Sequence, residues 1–174
     1  MEKLEQTGKT HIKDGKLIKS RKKTNNKWYE TQDSISYWND FNKQKIMYSE
    51  IVQEPKFFYD EYNYYPEATT FIMTGKNLKA LIIILNSNIT FKLFKLFYAG
   101  GGLSSSGVRY KKTFFYNLVL PKLSKNNIRE LEEYYIILKK KEFVNIEKEL
   151  LDIDNYVAKL YCLNEKEREY LINL

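Results

Sequence analysis

The sequence predicts a mixed α/β fold (α+β): a small, mostly antiparallel sheet with packed helices, followed by a C-terminal helical segment. Three observations lead there. Short β-rich runs follow one another between residues 45 and 73 with brief connections, which suits antiparallel neighbours rather than crossover units. Apolar residues then recur at helical spacing, with Leu78, Leu81, Ile82 and Leu85 at i, i+3, i+4 and i+7. Beyond Pro121 the pattern is helix after helix, with start signals at Ser124 and Asn164.

Taken in order, residues 1–26 are polar and Lys-rich, densest at Arg21, Lys22 and Lys23, and read as a solvated or frayed terminus. Residues 45–52, KIMYSEIV, form a strand with Ile46, Tyr48 and Ile51 as candidates for burial. Residues 57–59 and 62–65 flank Asp60 and Glu61 as the arms of an expected hairpin, though without the favoured Asn-Gly or Asp-Gly turn. Residues 68–73 supply the next strand. Thr74 is the expected cap of a helix over 76–85, and a break at 86–88 precedes a second helix to about residue 98, whose Ile89, Leu93, Phe94 and Phe97 share a face.

Three glycines at 100–102 close that helix. Residues 108–111 and 118–120 read as short strands around a turn of helix at 112–116. Ser124 starts a helix to about residue 141, and another covers about 146–162. Asn164 followed by Glu167 makes a capping-box start for a last short helix.

With 174 residues, 43% hydrophobic and 29% charged, the chain is a globular domain with room for a core. Aromatic residues reach 16%, including fifteen tyrosines, so many rings must sit half-exposed. Cys162 is the only cysteine, which excludes an internal disulfide, fits a reducing cytoplasm and reads as a small core residue. The terminus holds no apolar leader, and the longest apolar run, residues 80–85, is too short to span a bilayer, so no membrane role is expected.

Charge is the clearest functional signal. The net formal charge is +7, yet residues 68–129 carry ten Lys and Arg and no Asp or Glu, while residues 130–174 are mildly acidic. A cationic middle points to a polyanion. Within it lies YAGGGLSSSGVRYKK, residues 98–112. Glycines let a backbone approach a ligand without a Cβ in the way, serine hydroxyls and amides donate to phosphate, and Arg109, Lys111 and Lys112 supply counter-charge. One glycine would serve a helix exit; three before a serine run exceed that need. The expectation is that the segment's cations gather around this loop.

Catalytic constellations are missing. His11 is the only histidine and sits in the polar terminus, so neither a His-based triad nor a zinc site can be assembled. Asp152 and Asp154, two apart on a helix, face different directions. The spacing from Gly100–Gly102 to Gly107 fits no P-loop or dinucleotide fingerprint. The acid-free segment offers no metal ligand, although a dispersed carboxylate site elsewhere stays open. By itself the chain reads as non-catalytic.

Four blocks carry a family resemblance: WYETQDSISYWNDFNKQKIMYSEIVQEPKFFYDE (28–61), FIMTGKNLKALIIILNS (71–87), YAGGGLSSSGVRYKKTFFYNLVLPKL (98–123) and DNYVAKLYCLNEKE (154–167). In that order the chain, after about residue 20, resembles the C-terminal target-recognition region of type IIG restriction–modification enzymes and related N6-adenine DNA methyltransferases, the TaqI-like specificity domain. LVLPKLSKNNIRELEEYY resembles the exit from a recognition domain into a spacer helix in type I specificity subunits. The resemblance implies three parts: a basic N-terminal segment (1–26), a target-recognition domain (27–123) and a helical segment (124–174). It implies a module that reads double-stranded DNA in the cytoplasm for a methyltransferase or endonuclease domain or subunit. S-adenosylmethionine would belong to that partner, with no cofactor in this chain. The family's catalytic Asn-Pro-Pro-Tyr-type motif is absent, since Pro55, Pro66 and Pro121 stand alone.

On this reading Arg21, Lys22, Lys23, Lys76, Ser104, Ser105, Ser106, Lys111 and Lys112 contact phosphates, with Gly101 and Gly102 allowing close approach. Arg109 is placed to fork onto guanine and Gln32 to pair with adenine. Trp28, Tyr29 and Tyr110 are aromatic candidates for packing on sugar or a displaced base. Two other readings stay open: a protein-interaction module or a truncated remnant of such an enzyme, and a stand-alone nuclease that would need divalent-metal carboxylates.

Overall fold

The computed structural model describes residues 4–33, 35–67, 69–98, 107–110 and 112–173. They form two compact units, Met1–Asn39 and Asp40–Leu174. The fold is mixed α/β with small antiparallel sheets and helices at the C-terminal end, as the sequence predicts.

The smaller unit is built on a hairpin. Strands β1 (Thr10–Lys13) and β2 (Lys16–Lys19) pair antiparallel with Lys13 opposite Lys16. The two-residue turn takes positive φ at Asp14 (51°) and Gly15 (72°), which Asp-Gly adopts at low cost and which matches strand twist. The expected frayed terminus is thus corrected: the hairpin is ordered by its turn. Buried Gln6 secures the segment after the hairpin, donating to the carbonyls of Lys27 (3.0 Å) and Glu30 (2.8 Å) and accepting from the Thr24 hydroxyl (2.5 Å).

In the larger unit a 3-10 turn ending at Asn42 leads into β3 (Lys45–Ser49), the centre of a three-stranded sheet. Its neighbours are β5 (Phe57–Asp60) and β6 (Thr70–Met73), both antiparallel, with Tyr48 opposite Phe57 on one side and Phe71 on the other. Between β3 and β5 in the chain, β4 (Ile51–Val52) pairs in a separate ladder with β7 (Val108–Arg109). Two expectations are corrected here. The arms at 57–59 and 62–65 do not pair; β5 turns to β3, and the Asp60 carboxylate caps the loop by accepting from the Tyr62 and Tyr64 amides. Ile51 is exposed and Val52 buried, because on β4 Val52 stands opposite buried Val108 and its neighbour Ile51 faces the other way.

Helices cover the sheet face that carries Ile46, Tyr48, Phe57 and Tyr59. Helix α1 (Leu78–Asn86) buries Leu78, Ala80, Ile82, Ile83, Ile84 and Leu85, nearly its whole surface, since it packs against β5, against α2 (Asn88–Tyr98) and against α4 (Lys125–Lys140). It starts later than expected: its cap is Asn77, in the left-handed region at φ 55°, rather than Thr74. Extended Ser87 separates α1 from α2. Asp154, on α5 (Glu147–Leu160), caps α2 by accepting from the Asn88 amide (2.8 Å) and side chain (2.9 Å). Burial raises its carboxyl above the usual range, against the pull of those donors.

Short helix α3 (Lys112–Phe115) delivers Phe115 to the ring cluster, stacked 5.0 Å from Tyr48; residues 118–120 form no strand. Both capping signals hold. Ser124 and Asn127 close a capping box on α4, and Asn164 and Glu167 close one on α6 (Glu165–Ile172). Cys162, expected in the core, is exposed in the α5–α6 turn at φ 58°. No single helix among the described residues is long and apolar enough to cross a membrane.

One side chain closes the outer edge of the sheet. Asn86 accepts from the Phe57 amide (2.9 Å) and donates to its carbonyl (2.9 Å), taking the place of a fourth strand. Asn86→Ala should therefore cost about 1–3 kcal/mol, read as a lower urea midpoint at unchanged slope. An unmoved midpoint would mean that water replaces the amide without loss.

Candidate nucleic-acid interface

The expected contact residues fall in both units and are described unit by unit. In the smaller one, the segment anchored by Gln6 presents Trp28 and Tyr29, 45% and 63% exposed, with their rings edge-on at 5.5 Å. Lys27 lies 5.7 Å from the Tyr29 ring centroid, so cation and aromatic faces are displayed together. Lys22 is exposed and reaches Asp33 at 3.7 Å; Lys23 is exposed beside Gly8, whose φ of 70° would strain a side chain there. Arg21 is half-buried, its amide and carbonyl tied to Glu5 and Gly8 and its guanidinium 3.4 Å from the Glu30 carbonyl. Gln32 is half-buried.

In the larger unit Lys76 is exposed just before α1. Gly101, Gly102, Ser104, Ser105, Ser106 and Lys111 lie outside the described residues. The positions on either side of 99–106 are fixed: the Tyr98 hydroxyl donates to the Asn117 carbonyl (2.5 Å), and a Cβ on Gly107 would meet the Val52 carbonyl at 3.4 Å. Arg109 stands opposite Ile51 with its Nε donating to the Glu50 carboxylate at 2.7 Å. That ion pair occupies the Nε–H of the guanidinium fork.

Tyr110 is a correction. It is 2% exposed and packs against Phe94 (4.8 Å), Phe57 (5.2 Å) and Phe115 (5.4 Å), so it belongs to the core rather than to an exposed surface. Burial pushes its hydroxyl far above the ordinary phenol range. The cause is strand alternation: Val108 and Tyr110 point inward, which sends Arg109 out.

The cations of the acid-free segment stand in different surroundings. Lys79 lies 5.8 Å from the ring centroids of both Tyr59 and Tyr135. Lys92 lines a cavity of about 240 Å³ with Asn88, Asp154 and Arg168. Lys112 sits 5.5 Å from the Phe71 ring, and Arg129 reaches Glu133 at 3.8 Å.

Sequence reasoning missed two features of this unit. Lys45 and Asp60, opposite one another on β3 and β5, are fully buried and joined at 2.5 Å; Lys45 also donates to the Phe41 carbonyl (2.8 Å). Burial alone would raise the Asp60 carboxyl, but the Lys45 ammonium and the Tyr62 and Tyr64 amides more than offset it and hold it below the usual range. The second feature is the exposed ring set Phe58, Tyr62 and Tyr64 around that pair. Its signal is the density of aromatics at 57–65, which also suits hairpin arms.

Among the described residues no group of three or more His, Cys, Asp or Glu is placed to hold a metal ion. A family model described as TaqI-like C-terminal specificity domain matches residues 6–105, more than half of the chain. No curated protein matches it.

Proposed function

The chain belongs to the TaqI-like C-terminal specificity domain family, and from that premise we propose that it is the target-recognition module of a restriction–modification system. It binds double-stranded DNA and selects the sequence on which a separate methyltransferase or endonuclease domain or subunit acts, using S-adenosylmethionine in the methyltransferase case. The finer assignment is to the type IIG, adenine-specific class, working in the cytoplasm. The observation that carries the reading, beside the family, is the run of ten cations without one carboxylate in residues 68–129.

Phosphate contacts go to Arg21, Lys22, Lys23, Lys76, Ser104–Ser106, Lys111 and Lys112, which set register on the duplex. Base reading goes to Gln32 and to Arg109, whose outward position on β7 and half-exposed guanidinium support the role. Trp28 and Tyr29, held out beside Lys27, suit packing against sugars.

Fluorescence anisotropy against a panel of duplexes, titrated with salt, tests this. Lys112→Ala should weaken binding to every duplex and lower the log Kd–log salt slope by about one unit. Arg109→Ala should instead relax selectivity at one base pair, by roughly 1–3 kcal/mol. Weak, salt-insensitive DNA binding together with tight capture of a methyltransferase would replace the reading with that of a protein-interaction module.

A further inference from the structure

The loop after β5 displays aromatic surface that neither the fold nor the contacts assigned above employ. Phe58, Tyr62 and Tyr64 are 50%, 65% and 54% exposed. Their rings form one herringbone set: Phe58 to Tyr64 at 6.5 Å and 46°, Tyr62 to Tyr64 at 6.0 Å and 54°. Apolar rings left in water at this density are unusual for a surface without a partner.

Two observations say what kind of partner. The rings are carried on backbone that is already ordered. The buried Asp60 carboxylate accepts from the Tyr62 amide (2.8 Å) and the Tyr64 amide (2.9 Å) and is itself held by Lys45. Binding therefore needs little further ordering of the loop. The second observation is charge. Glu61, the acid in the midst of the rings, is neutralised by Lys139 on α4. Preordered ring faces, with Asp60 and Glu61 both paired and the Lys139 ammonium near Tyr62, meet the two needs of a nucleotide outside the helical stack, a π-surface for the base and a cation within reach of its phosphate. Phenol rims and the lack of any aliphatic side chain between residues 57 and 66 argue against an apolar helix as the occupant.

We propose that Phe58, Tyr62 and Tyr64 form a stacking surface for an unpaired or extruded nucleobase of the bound DNA. The proposal rests on the DNA-recognition reading above and adds a site to it.

The test compares two mixed-sequence duplexes that differ by one bulged thymidine, measured by anisotropy with the full chain. The wild-type chain should prefer the bulged duplex by roughly 5- to 150-fold, the range of one base–aromatic stack. Y62A/Y64A should lose the preference while keeping its affinity for the paired duplex, since alanine retains the amides that Asp60 accepts. Y62F/Y64F should keep the preference, because the ring and not the hydroxyl does the stacking. A 5-bromodeoxyuridine at the bulge should photocrosslink to Tyr62 or Tyr64 in the wild-type chain, a readout independent of any variant's folding. Equal affinity for the two duplexes, a preference that survives Y62A/Y64A, or crosslinks elsewhere would overturn the stacking site alone. Failure to bind either duplex would overturn the DNA reading with it.

Discussion

Lys45→Met should destabilise the larger unit by about 3–5 kcal/mol, because it leaves the Asp60 carboxylate charged in a dry site with only two backbone amides as partners. The pH dependence should reverse as well. In the wild-type chain the Asp60 carboxyl titrates lower when folded than when unfolded, near 4. Its contribution is therefore complete above about pH 4 and disappears as pH falls through the lowered folded value. Without Lys45, burial becomes the leading influence and raises the folded value above the unfolded one. The variant should then gain stability as pH falls from 7 towards 5, over a range where the wild type gains none from this group. Urea denaturation at pH 7 and pH 5 decides it. A loss under about 1 kcal/mol at pH 7, with no difference between the two pH values, would mean that the pair contributes nothing of this kind. Lys45→Met with Asp60→Leu should recover part of the loss but not all, as the Tyr62 and Tyr64 amides would then lose their acceptor.

Tyr110→Ala should cost about 3–5 kcal/mol, the range for removing a large ring from a packed core. Four aromatic neighbours close on this ring: Phe94, Phe57, Phe115 and, at 6.2 Å, Tyr48. The cavity would open between β7, α2 and α3, where the backbone of two β-strands cannot close it without breaking the short β4–β7 ladder. Tyr110→Phe keeps the ring and should cost under about 1.5 kcal/mol, with DNA affinity unchanged. Thermal melts alongside anisotropy separate the two roles. A Tyr110→Ala chain that melts like the wild type yet no longer binds DNA would return this residue to the interface.

Tyr110 also shows where sequence reasoning goes astray. The motif invites Arg109 and Tyr110 to be given to the ligand together, but neighbours on a strand face opposite ways, and buried Val108 fixes which way. The same alternation on the paired strand β4 selects Val52, opposite Val108, over Ile51. Features decided within one turn of chain are legible: the periodicity of α1 and α2, the break at Ser87, and both capping boxes. Features decided by distant pairing are not. Residues 57–65 resemble a hairpin locally, but β3 competes for β5 and Asp60 finds Lys45 fifteen residues back. The hairpin at β1 and β2 is signalled by its Asp14–Gly15 turn, yet its lysines at 13, 16 and 19 look like a solvated tail and hide it. For the proposed interface, charge is the sequence signal behind the polyanion reading, while the exposed rings of Tyr62 and Tyr64 need a buried carboxylate to be placed.

The Asn86 side chain has a meaning for the chain in company as well as alone. By satisfying both polar groups of Phe57 it denies the outermost ribbon to a neighbouring molecule that would otherwise add itself edge to edge. A chain lacking that amide should scatter more light on standing at high concentration, even at temperatures where it remains folded. One side chain thereby guards the difference between a dispersed solution and a growing aggregate.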